Sequence, residues 1–119
     1  MLKTIPSRIL AHSCVLRVPA ADAWGEAAWE SHAISRVNIQ PSHRVIIGKD
    51  AKQRELAAVM FYDCRLSQGA EDLAAWQAEA EAANRPLEID WQGNTYSVIA
   101  IDWLCDDEGN PHHWEVGLC

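Results

Sequence analysis

At 119 residues and 49% apolar, the chain has material for one domain with one modest core (residues 1–119), and its composition excludes intrinsic disorder. Seventeen acidic against ten basic residues give a formal charge of -7. That balance excludes a surface built to hold nucleic acid, because phosphate binding requires clustered Lys and Arg. No apolar run approaches the roughly 20 residues of a membrane-spanning helix. The opening Met1-Leu2-Lys3-Thr4-Ile5-Pro6 also lacks the apolar stretch expected of a secretory leader. A cytosolic origin is expected, with Cys14, Cys64, Cys105 and Cys119 as free thiols and no close pair of cysteines to hold zinc.

In chain order, residues 1–11 mix Ile5, Ile9 and Leu10 with Pro6, and either form one helical turn capped by Ser7 or lie across a sheet. Residues 13–18 alternate as a first short strand. Residues 19–29 read as an Ala-rich loop carrying Trp24 and Trp29, with at most a helical turn between Pro19 and Gly25. Alternation resumes over 32–40, Val37 and Ile39 opposing Arg36, Asn38 and Gln40, and Pro41 either ends that strand or marks an edge. Val45-Ile46-Ile47 continues apolar, 48–54 is a charged connection, and 56–66 is the next strand. These two strands are expected to form a long hairpin with a projecting tip.

Residues 70–84 predict a helix: Ala and Glu dominate, Glu71-Asp72 suit its positive end, and Leu73, Trp76, Ala80 and Ala83 make one apolar stripe. Leu87, Ile89 and Trp91 then alternate with acids, and Gln92-Gly93-Asn94 supplies a tight turn. Tyr96, Val98 and Ala100 make one apolar face of the following strand and Ile99, Ile101 and Trp103 the other, which predicts a central strand covered on both sides. After the polar break at 106–111, Trp114, Val116 and Leu118 form a last strand. The sum is a mainly β (α+β) chain: a small antiparallel β-barrel of five or six strands with one helix in a late connection.

Three features invite chemistry. His112-His113 beside Asp106, Asp107 and Glu108 has metal-ligand residue types, but adjacent strand residues point to opposite faces and the acids lack calcium-loop spacing. A polar hairpin turn is expected there. Cys64 between Asp63 and Arg65 resembles an activated thiol but fits a packing residue better. Six Trp are many for this length; Trp91, Trp103 and Trp114 fit the core, while Trp24 and Trp29 are candidate interface anchors. Lys49, Asp50, Lys52, Gln53 and Arg54, in the projecting connection, complete the candidate partner surface. No catalytic, cofactor-binding or metal-binding residue is expected, nor a cofactor, and the chain is not expected to be an enzyme.

Several of these motifs occur together in a known order: Ile5-Pro6, Leu10 and His12-Ser13, then Val37-Asn38-Ile39-Gln40-Pro41-Ser42, then Phe61-Tyr62-Asp63-Cys64. Gly93-Asn94-Thr95-Tyr96 and Asp107-Glu108-Gly109-Asn110 with His112-His113-Trp114-Glu115-Val116 complete the set. In this the chain resembles the minor capsid proteins of tailed bacteriophages and prophages, departing from them in its helix over 67–85. The resemblance implies a head-completion or stopper-like barrel at the head–tail junction, forming a ring under the portal and helping to retain packaged DNA. It implies portal, adaptor and tail-completion partners, only non-specific contact with passing DNA, no membrane, and a place in the virion after assembly in the host cytoplasm. An OB-like nucleic-acid or protein-binding barrel, or a small His/Asp metal-dependent enzyme, is the alternative.

Overall fold

The computed structural model describes residues 6–21, 27–47 and 51–119. A 3-10 turn at Ser7–Ile9 leads into β1 (His12–Ala21) and β2 (Ala27–Pro41), followed by the short β3 (Val45–Ile47) and β4 (Gln53–Glu55). After β5 (Ala58–Asp63) comes the helix α1 (Leu73–Ala83), then β6 (Glu88–Trp91), β7 (Asn94–Cys105) and β8 (Pro111–Leu118). Six strands close an antiparallel barrel in the order β1-β2-β5-β8-β7-β6, and β3 and β4 form a separate two-stranded ribbon. The barrel interior is apolar, with Leu16, Val18, Val37, Met60, Leu87, Ile89 and Leu118 fully buried.

Bulges at Arg36 and Ile99 set which residues of β2 and β7 point inward. His12 pairs with Val37 and Ser13 with Ser35, which leaves Arg36 as an extra residue at φ 56. Ile34 and Val37, three apart, therefore both face the core. In β7, Val98 pairs with Leu118 and Ala100 with Gly117, so Ile99 is extra and the inward set passes from Tyr96 and Val98 to Ile101. The apolar runs on both faces of this strand are thus successive: the bulge hands the core from one face to the other. Trp103 lies past that change and is 42% exposed, which corrects its expected core position.

The expected loop at 19–29 is mostly strand, since Pro19 pairs with Trp29, Ala20 with Ala28 and Ala21 with Ala27. β6 pairs with β1 only at Val15, Leu16 and Arg17, so Pro19 lies where β1 has a single neighbour and a missing N–H is tolerated. β5 is shorter than the predicted 56–66. Asp63 turns the chain, its carboxylate accepting the N–H groups of Arg65 at 2.8 Å and Leu66 at 3.0 Å. The Gln92-Gly93 turn has positive φ at both residues (49 and 79), the mirror-image turn that suits strand twist.

Helix α1 docks on the core through Leu73 and Ala80, and Trp76 stacks on His32 at 4.1 Å; Ala83, expected in the stripe, is exposed. The connection into the helix crosses β2, where Ser35 and Gln68 exchange backbone hydrogen bonds of 2.9 and 3.0 Å. Gly69 follows at φ 105, and a Cβ there would overlap the Ala33 carbonyl oxygen. Gly69→Ala is expected to cost about 3 kcal/mol through strain and overlap together. Urea denaturation compared with wild type checks this.

Candidate interaction surface

The β3–β4 ribbon prolongs the β2–β5 hairpin. Pro41 pairs with Ala58, the Ser42 N–H reaches the Ala57 carbonyl at 3.1 Å, and the Leu56 N–H reaches the Arg44 carbonyl at 2.9 Å. Beyond that root the ribbon's backbone packs closely on no other described element, and the tip at 48–50, expected to project, lies outside the described residues. Leu56, only 1% exposed, anchors the root against Gly117, where an added Cβ would lie 3.1 Å from a Leu56 methyl. Arg44 ties the root to the outer barrel wall, 3.7 Å from Asp102 and 3.6 Å from Glu115.

The register places Val45 opposite Glu55, Ile46 opposite Arg54 and Ile47 opposite Gln53. Val45 is 57% and Ile47 71% exposed, and Lys52, Gln53 and Arg54 are exposed beside them. β-Branched residues suit a strand, but three-residue strands with no second layer cannot bury them. Their exposure went unseen in the sequence, where Val45-Ile46-Ile47 reads like any apolar strand.

A groove of about 270 Å³ runs beside the ribbon, lined by Ile46 and Ile47, by Gln77 and Glu81 of α1, and by Ile99, Ile101 and Trp103 of β7. Its floor is a strand edge. β7 pairs with β6 only through Ser97, and the Val98 N–H still reaches the Leu87 carbonyl at 2.8 Å. From Ile99 onward β8 is the only strand partner of β7 among the described residues.

The predicted partner residues do not converge. Trp24, Lys49 and Asp50 lie outside the described residues. Lys52, Gln53 and Arg54 sit on the ribbon, whereas Trp29 lies near the start of β2, about 40 Å along the strand from Pro41 at ~3.3 Å per residue. Trp29 is half-buried, with the Arg85 guanidinium 4.4 Å and that of Arg17 5.3 Å from its ring centre. Arg85 also donates to the carbonyls of Ala20 (3.3 Å) and Ala28 (3.1 Å), so this Trp locks the helix exit onto its own β1–β2 hairpin.

His112 and His113 lie in β8 rather than in a turn, and His112 is buried. Their rings meet edge-on with the Nδ1 atoms 2.8 Å apart, closer than simple alternation predicts, and His113 Nε2 lies 3.2 Å from Glu115. Among the described residues no group of three or more His, Cys, Asp or Glu is placed to hold a metal ion. The turn before β8 is organised by Asp106, whose carboxylate accepts the N–H of Asn110 (3.0 Å) and Glu108 (2.9 Å); those bonds hold it below the usual carboxylate range. All four cysteines are free. Burial, the Asp63 carboxylate and Cys105 push the Cys64 thiol up to about 11, and burial pushes Cys14 up to about 12, the reverse of an activated nucleophile.

Near neutral pH a thiol reagent should modify exposed Cys105 and Cys119 first and leave Cys14 and Cys64 largely unmodified, as mass spectrometry would show. The folded chain holds the Cys64 proton more tightly than the unfolded chain, so stability should fall as pH rises from 9.0 towards about 11. Trp29→Ala should lower folding stability by about 2 kcal/mol, read from denaturant unfolding. No protein-family model matches the chain, and no curated protein matches it closely enough to count as a relative.

Proposed function

We propose that the chain is a structural subunit of the head–tail junction of a tailed phage or prophage particle, assembling as a ring beneath the portal and helping to retain packaged DNA. The observation that carries this reading is a closed barrel bearing a separate two-stranded ribbon with exposed apolar and basic side chains. A barrel keeps most of its strands paired internally, which lets copies sit side by side without indiscriminate strand pairing. A projecting arm gives each copy a means of reaching its neighbour or the portal.

The motifs behind the resemblance lie where they build this scaffold. Tyr62 stacks on Trp114 at 5.1 Å and its hydroxyl accepts the Ala70 N–H at 3.1 Å, while Asp63 makes the turn after β5. Such residues support a structural role better than a reaction centre. The formal charge of -7 suits a conduit that DNA crosses without sticking. On this reading the partners are portal, adaptor and tail-completion proteins and further copies of the chain, in the virion and, during assembly, in the host cytoplasm. On the same reading the 48–55 connection, whose residues 48–50 lie outside the described residues, would meet the ring axis or the portal.

Sedimentation of the purified protein with portal assemblies from the same phage or prophage tests the reading. Co-sedimentation as a ring complex is the expected result, and a protein indifferent to portals would overturn it. Removing residues 48–55 should block head completion while leaving a folded barrel by circular dichroism; normal particles from that variant would count against a role for the ribbon.

A further inference from the structure

We infer that the ribbon of one copy docks on the open β7 edge of a second copy, with β3 adding as a strand along 99–103 and Val45 and Ile47 entering the groove. This rests on the ring-forming reading above and names the contact that would build the ring. Four observations support it.

First, the chain carries two unsatisfied strand edges. β3 pairs only with β4, and β7 beyond Val98 pairs only with β8 among the described residues. Unpaired rows of N–H and C=O groups are templates for another strand. Second, both edges are apolar: Val45 and Ile47 on the ribbon are exposed, and Ile99, Ile101 and the 42%-exposed Trp103 line the groove. Third, the charges differ. Lys52 and Arg54 lie beside the ribbon's apolar residues, with Glu55 the one acid in β3 and β4, whereas the β7 side presents Glu81, Asp107 and Glu108 with no Lys or Arg between 86 and 119. In a chain with 17 acidic and ten basic residues, another copy of its own acidic body complements that arm.

Fourth, the two edges do not satisfy each other within one chain. Ile46 and Ile47 line one side of the groove and the β7 residues another, unpaired across it. Buried Leu56 and the Arg44 ion pairs fix the ribbon's root on the barrel, which holds the two edges apart in this arrangement. Because donor and acceptor edges are different surfaces, the contact runs head to tail, the arrangement that closes into rings or continues as filaments.

Sedimentation velocity of the full chain across a salt series, with two charge-reversed variants, tests the contact. Wild type should form species larger than a monomer at low salt and dissociate as salt rises. Lys52→Glu/Arg54→Glu and Glu81→Lys/Asp107→Lys should each weaken association by about tenfold or more, and an equimolar mixture of the two should recover it. Unchanged thermal melting would show that both variants remain folded. Wild type that stays monomeric at the highest attainable concentration, variants that associate like wild type, or a mixture that fails to recover would each overturn the contact. Loss of DNA retention by the ribbon variant, with association intact, would instead assign the arm to nucleic acid. Portal binding reports separately: a chain that assembles by this contact but ignores portals keeps the contact and loses the head–tail role, and a monomer that binds portals does the opposite.

Discussion

Barrel closure rests on its shortest seam. β1 meets β6 over three pairs only, Val15 with Asp90, Leu16 with Ile89 and Arg17 with Glu88. Leu16 and Ile89 are fully buried and supply the apolar gain. Outside them Arg17 lies 2.6 Å from Glu88 and 3.3 Å from Asp90, and Asp90 also accepts the Thr95 hydroxyl at 2.6 Å. These ionic side chains are 23–39% exposed, so water screens them and their stabilisation is modest. Their larger effect is on register, since a one-residue slip would separate Arg17 from both acids and turn Leu16 towards solvent.

A short seam leaves long strands unmatched beyond it, and the chain treats the two overhangs differently. The part of β1 beyond Arg17 is covered: α1 packs beside it, and Arg85 reaches over Trp29 to bond the carbonyls of Ala20 and Ala28. The part of β7 beyond Val98 keeps an open groove. Evolved proteins usually blunt exposed edges, so an edge left apolar beside an apolar arm has the character of a contact surface.

The charge distribution follows the same division. The barrel and helix carry most of the acids, and the ribbon concentrates Arg44, Lys52 and Arg54. Association between such surfaces gains its rate and orientation from electrostatics and its persistence from the apolar pairs, which makes it responsive to ionic strength. Burial holds Cys14 and Cys64 protonated, and the His112–His113 pair belongs to the packing of β8 against β5 and β7.

Much of the architecture was legible in the residues themselves, because it depends on local chemistry. Alternating Leu87, Ile89 and Trp91, the Gln92-Gly93 turn, the Ala-rich helix and the stop at Pro41 each rest on backbone preference or a period of two, and the mainly β barrel with one late helix follows from their sum. The bulges at Arg36 and Ile99 were not legible. A bulge changes which face is buried without altering local composition, so both faces of β7 read as covered. Nor did residues 19–29 announce a strand, since Pro and Ala disfavour one until pairing between Ala20–Ala21 and Ala27–Ala28 enforces it. The interaction surface depended most on tertiary structure. Whether Val45, Ile47 and Trp103 are buried or bare is decided by what lies across from them, and only the closed barrel leaves those positions uncovered.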